Sequence, residues 1–377
     1  MYNYQVGRIW GIPIKINISL IVFLPVLAWI IGGTNQIALY AGLVEAVSGV
    51  PLDVNALQAE NRGFLLGAAA AVGLFASVTV HELGHAAAAR RYGIETSAIT
   101  LWILGGLASL DRLPKEPTRE LVIALAGPAA SVLTGVACYA AIFGVPASAP
   151  TVVFVLGFLA VTNLTLAGFN LLPAFPMDGG RVLRAFLARN RPYVDATRIA
   201  ARIGVVFAIL FALVGVLGGA PMLLLLALFV YSAANGESRV VALEAMLDGF
   251  VVGDVFDRDR PTVDAGTMLD AFAQQVLADH QDHHVVQDRS GRVLGLAGLD
   301  TLREHGRESG ATVGDVARTD LPTVDLSTPA FDALREMDDS AYAFVTDRGE
   351  VVGVVGREDF SSLLELTGLS EREQFAQ

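Results

Sequence analysis

Hydrophobic and polar positions divide this chain into two unlike halves. Apolar runs long enough to cross a bilayer, about 20 residues, fall at Ile16–Gly33, Gly63–Val80, Leu121–Gly144, Thr151–Leu172, Ile203–Gly219 and Pro221–Ala234. The last two are short, and the Gly218-Gly219-Ala220-Pro221 break between them predicts a tight helical hairpin. Between the second and third runs, Thr96–Leu110 alternates and is glycine-rich, which predicts extended structure. Beyond Gly236 an amphipathic stretch leads into shorter helix and strand patterns of soluble type. The pattern therefore predicts a polytopic α-helical membrane domain of about six transmembrane helices, followed by a soluble α+β module.

Charge follows the same division. Residues 1–250 carry a net +2 and residues 251–377 a net −14, making up the overall −12. Apolar residues are 53% and charged residues 17% of the chain, against roughly 25% charged in an average soluble protein. An acidic balance disfavours a nucleic-acid partner, because phosphate binding requires a basic surface. Basic-rich and basic-poor segments alternate between the apolar runs, so the positive-inside rule expects both termini and the acidic module in the cytoplasm, with the protein multi-pass in the cell membrane. Pro25 and the lack of a small-x-small site argue that the first run is a retained span rather than a cleaved signal. Cys138 is the sole cysteine, which precludes an intramolecular disulfide.

The candidate chemistry lies at the end of the second run, His81-Glu82-Leu83-Gly84-His85. On a helix, His81 and His85 stack one turn apart on one face, suited to a single Zn²⁺, with Glu82 in reach as a general base. Ionisable groups at membrane depth are costly, and so point to function. A third ligand is required, and Asp178 is the candidate. It lies in Asn170-Leu-Leu-Pro173-Ala-Phe-Pro176-Met-Asp178-Gly179-Gly180-Arg181, where two prolines break a span and two glycines allow a sharp turn. The plainer reading makes Asp178 a cap of the next helix. Asn163 and Asn170 share one face of the fourth run. Either can donate to a substrate carbonyl, although for Asn163 interhelical hydrogen bonding is the favoured reading.

These motifs resemble the site-2 protease family of intramembrane zinc metalloproteases. Gly11-Ile-Pro13-Ile-Lys-Ile, Ile99-Thr-Leu-Trp-Ile-Leu-Gly105-Gly106 and Ala126-Gly127-Pro128 add to the likeness, which covers roughly residues 5–235. The resemblance implies hydrolysis of peptide bonds in transmembrane or membrane-anchored proteins. It also implies His81, His85 and Asp178 as zinc ligands, Glu82 as catalytic base and Asn170 as an active-site residue. An edge strand within Thr96–Leu110 is a candidate to pair an unwound substrate.

In the acidic half, Val252-Gly-Asp-Val255 recurs as Val313-Gly-Asp-Val316, and Pro261-Thr-Val-Asp264 as Pro322-Thr-Val-Asp325. Two such short units are expected to pack on one another, and they resemble a tandem of cystathionine-β-synthase-type (CBS) domains. The resulting organisation is a membrane metalloprotease domain at 1–236, a linker at 237–250, CBS domains at 251–308 and 309–366, and a tail at 367–377. The CBS resemblance implies an adenine nucleotide as ligand, with Asp300 and Asp359 at the ribose. Ala297 and Gly356 replace the family's hydroxyl residues, which weakens phosphate recognition, so a structural or homodimerising role is at least as favoured. His280, His283, His284 and His305 read as solvated residues rather than a second metal site. Two other function classes remain open on sequence: a CBS-gated transporter and a catalytically silent scaffold. Against a transporter, the spans carry few charges, and no paired interrupted helices mark a midplane site.

Overall fold

The computed structural model describes residues 3–59, 62–103, 105–110, 114–146, 148–279, 281–305, 310–338 and 340–363. They fall into two compact units, 1–239 and 240–377.

The first unit opens with a hairpin, β1 (Asn3–Ile9) and β2 (Ile12–Asn17), turned at Trp10 and Gly11, which both have positive φ. The alternation Ile12-Pro-Ile14-Lys-Ile16 makes a strand whose last residues merge into the first apolar run. Asn17 ends the strand and caps α1 (Ile18–Gly33), its Oδ1 accepting from the Ser19 N–H. A bend of 67° separates α1 from α2 (Gln36–Ser48), and the short α3 (Val54–Gln58) follows. The long α4 (Arg62–Arg91) then leads to β3 (Thr96–Trp102) and β4 (Gly105–Leu110).

β2 pairs parallel with β3, and β3 antiparallel with β4, giving a four-stranded sheet in the order β1-β2-β3-β4. β2 and β3 are thus internal, and β1 and β4 are the two edges. The sheet packs on α1 and α4 through Ile14, Leu20, Phe75, Val78, Ile99 and Leu101.

The unit continues with α5 (Pro117–Ile142), α6 (Pro150–Asn170), the ten-residue α7 (Asp178–Leu187), α8 (Tyr193–Leu217) and α9 (Pro221–Met246). The expected hairpin forms between α8 and α9, with Phe207, Ala208 and Phe211 packed among Leu226 and Val230.

The chain is a polytopic helical membrane protein. Among the described residues, four helices (α4, α5, α6 and α8) are long and apolar enough to cross a bilayer, or five spans if the bent pair α1–α2 counts as one. The count is below six because α9 is apolar only as far as Ala234, then becomes polar and runs on across the unit boundary.

The second unit has two repeats. The first consists of α10 (Val252–Val255), β5 (Thr262–Asp264), α11 (Leu269–Asp279), β6 (His283–Gln287), β7 (Val293–Gly298) and α12 (Leu299–His305). The second consists of α13 (Val313–Val316), β8 (Thr323–Asp325), α14 (Ala330–Glu336), β9 (Tyr342–Asp347) and β10 (Glu350–Gly356). Each forms a three-stranded sheet with one parallel and one antiparallel pairing. Neither small sheet buries both faces alone. Val285 and Leu296 of the first pack with Tyr342, Phe344 and Val354 of the second.

Candidate metal centre

α4 carries His81, Glu82 and His85 in its C-terminal half, all buried. The two imidazoles meet edge to face, with centroids 4.8 Å apart. Asp178 is the first residue of α7, buried, and brought from 97 residues away to face them. Three atoms form a near-equilateral triangle. His81 Nε2 lies 3.2 Å from Asp178 Oδ2, His85 Nε2 3.2 Å from the same oxygen, and the two Nε2 atoms 3.2 Å from each other. Bonds of about 2.0–2.1 Å to tetrahedral zinc place ligand atoms about 3.3 Å apart, so the spacing and the N, N, O donor set both fit that ion.

The far side of each ring supports this. His85 Nδ1 donates to the Ile123 carbonyl at 2.8 Å, so its proton is on Nδ1 and the Nε2 lone pair faces the triangle. His81 Nδ1 lies 2.9 Å from Ser131 Oγ, which can accept in the same way. Three electron-rich atoms then converge, an arrangement that a divalent cation satisfies. Among the described residues, this is the one His, Cys, Asp and Glu cluster spaced for a metal.

Helix α5 backs the centre. Ile123, Gly127 and Ser131 recur at four-residue spacing and share a face. A Cβ at Gly127 would overlap Nε2 and Cε1 of His85 and lie 2.7 Å from His81 Nε2, so the close approach requires glycine. Ser131 and the Ile123 carbonyl escaped the sequence reading. A main-chain acceptor has no side-chain signature, whereas Ser131 sits four residues beyond Gly127 and could have been found from that periodicity.

Glu82 lies against the edge strand β4: a Cβ at Gly106 would come within 2.6 Å of its Cγ and 2.8 Å of its Oε1. The described residues leave its carboxylate without a hydrogen bond. Asn170 ends α6, half-buried, and takes no part in the hydrogen bonds that hold the triangle. Asn163 is fully buried and donates to Ser77 Oγ at 2.9 Å and the Leu159 carbonyl at 2.8 Å, joining α6 to α4. Its amide serves packing between helices.

Arg184, one of the basic residues between the fourth and fifth apolar runs, is fully buried on α7 rather than exposed in a loop. Its Nε donates to Glu120 Oε1 of α5 at 2.7 Å and its Nη1 to Glu237 Oε1 of α9 at 2.6 Å.

In the second unit, Asp359 is already engaged. Arg260 donates to both its oxygens, at 2.8 and 2.7 Å, and the Gly356 N–H donates at 2.7 Å. Burial nonetheless raises the Asp359 carboxyl above its ordinary value, against the opposing pull of Gly356 and Arg260. Asp300 lies 3.5 Å from both His283 Nε2 and Arg318 Nη1. His283 also meets the Tyr342 hydroxyl at 2.9 Å. His284 is wholly buried in β6, edge-on to Phe272 and 3.2 Å from Asp279, so it is a core residue rather than a solvated one. His280 lies outside the described residues.

Comparison with known proteins agrees with the geometry. The profile of peptidase family M50 matches residues 69–148 and 145–211, and that of the CBS domain matches 313–365. A zinc metalloprotease of Methanocaldococcus jannaschii is 32% identical over 372 residues, 98% of each chain. Rip3 of Mycobacterium tuberculosis is 33% identical over 388 residues, covering 97% of this chain and 94% of its own. Among solved structures, the site-2 protease from Methanocaldococcus jannaschii aligns at a TM-score of 0.44 and 34% identity, over 63% of this chain and 95% of its own. The chain belongs to peptidase family M50, the site-2 proteases, and is an intramembrane zinc metalloprotease with a C-terminal CBS module.

Proposed function

We propose that this protease hydrolyses peptide bonds within transmembrane segments of membrane-anchored proteins, with Glu82 as general base and His81, His85 and Asp178 as the zinc ligands. The observation that carries the reading is the 3.2 Å triangle of ligand atoms, with Glu82 one residue away and, among the described residues, without a hydrogen bond. Zinc supplies Lewis-acid polarisation of a carbonyl and acidifies water. Glu82 takes the proton of the attacking water and returns it to the leaving amine. Asn170, at the end of α6 and without a side-chain hydrogen bond among the described residues, donates to the substrate carbonyl. The Nδ1 partners hold each imidazole in the tautomer that binds metal. Ser131→Ala is therefore expected to weaken zinc about tenfold, measured by competition with a chelator in purified protein. Unchanged affinity would remove Ser131 from this role.

A peptide bond in a transmembrane helix has its hydrogen bonds already made, so the substrate must unwind before attack. β4 supports a place for the unwound strand, since it is the sheet edge beside the centre and a Cβ on its Gly106 would meet Glu82. Consecutive strand residues point their N–H groups to opposite sides, so of Leu107→Pro and Ala108→Pro one removes an outward donor and the other a bond to β3. Both are expected to cut cleavage of a reconstituted substrate while leaving zinc content intact. Full cleavage by both would exclude strand addition at β4.

The alternating basic segments support a topology with both termini and the CBS module in the cytoplasm. Cysteine-accessibility labelling of introduced tail cysteines in intact cells tests it, and labelling from outside would invert it. The engagement of Asp359 with Arg260 favours a dimerising or regulatory role for the module over nucleotide capture.

A further inference from the structure

We infer that Arg184 is the positioning residue that sets Asp178 against the two imidazoles. The inference rests on the reading of His81, His85 and Asp178 as the zinc ligands.

Asp178 is the first residue of a helix of only ten residues, entered from a proline-broken turn, and such a helix has little intrinsic stability. Its orientation must come from its contacts. At the N-terminal end, a Cβ on Gly180 would lie 2.7 Å from the Phe175 N and 2.8 Å from the Ala174 carbonyl carbon, so the helix seats directly on the turn before it. Rotation about that seat would still carry the carboxylate off the triangle. Arg184, near the other end, removes that freedom. Its guanidinium is fully buried, donates to Glu120 of α5 and to Glu237 of α9, and has the rings of Phe175 and Tyr193 at 5.0 and 4.8 Å.

Glu120 and Ile123 are one turn apart on α5, and the Ile123 carbonyl holds His85. One helix thus references both halves of the centre: the imidazoles through Ile123 and Ser131, and the carboxylate through Glu120 and Arg184. Buried ion pairs are best attested as devices that fix register rather than as sources of net stability. Lysine cannot replace the fork, because it lacks the planar geometry that spans two carboxylates and stacks on rings.

The test is a double-mutant cycle on metal binding, in full-length protein purified in detergent. Zinc affinity is read by chelator competition and ligand geometry by the visible bands of Co²⁺. Arg184→Lys is expected to weaken zinc about 10–100-fold, the range for lost outer contacts at a metal site, and to shift the cobalt bands. In an Asp178→Ala background the same substitution is expected to add nothing, because Arg184 acts through that carboxylate. Wild-type affinity and unchanged bands in Arg184→Lys would overturn the inference, as would losses that multiply in the double variant. A merely structural arginine lowers the thermal midpoint in every background without this non-additivity. Should Arg184→Lys not fold, Glu237→Gln removes one arm of the clamp and is expected to give a smaller weakening of the same kind, with none overturning the proposal. Asp178→Ala binding zinc as wild type would instead sink the ligand assignment beneath it.

Discussion

Glu82→Gln is expected to leave zinc content at one per chain and to lower the cleavage rate by about 10²–10⁴, the usual range for a general acid–base residue. That range corresponds to about 3–5 kcal/mol of transition-state stabilisation. Glutamine keeps the size of the side chain but cannot take a proton. The ligand triangle is made of His81, His85 and Asp178 alone, so it should survive. The packing of Glu82 against Gly106 should also survive, since that contact depends on shape rather than charge. The measurement pairs elemental analysis of zinc with cleavage of a transmembrane substrate in nanodiscs. Near-normal cleavage by the variant would refute Glu82 as base, and a zinc-free wild type would undo the metal assignment.

The second large effect is expected at Gly127. Alanine there is a modest change by size, yet its methyl would occupy the space of two ring atoms of His85 and crowd His81. The rings cannot easily yield, because both are hydrogen-bonded to the same helix that bears the new methyl, through Ile123 and Ser131. Overpacking of this kind costs about 1–3 kcal/mol. Taken from metal binding, that is a loss of zinc affinity of roughly 5- to 150-fold. Gly168→Ala is the matched control. It lies on a neighbouring span with nothing near its added carbon, and it should bind zinc as wild type does. Equal zinc affinity in the Gly127 and Gly168 variants would show that α5 does not shape the centre.

The centre was legible in the sequence to the extent that it uses unusual residue types. Two histidines and a glutamate near the end of an apolar helix, and an aspartate in a proline-broken turn, stand out because a membrane interior seldom carries them. What was not legible involves ordinary groups. The Ile123 carbonyl is main chain, Ser131 is a common helix residue, and Arg184 resembled one more basic residue outside the bilayer until the fold supplied Glu120 and Glu237 from distant helices.

The same distinction runs through the fold. The long spans follow from apolar length alone, and the repeats of the acidic half follow from their shared Val-Gly-Asp-Val starts. The β1–β2 hairpin was hidden because its alternating residues merge into the apolar run of α1, with Asn17 as the punctuation between them. The bend into α2 depends on how neighbouring helices pack, and no local pattern records that.

The strand bordering the centre begins with two glycines, and a Cβ on one of them would meet the proposed base. If a client adds to this edge as proposed, the bare main chain at Gly105 and Gly106 beside the base can grip an extended polypeptide but offers little with which to read its side chains. Discrimination among clients then falls to the ease with which a client's helix frays at the right depth. On this view the enzyme surveys conformational fragility rather than a consensus motif.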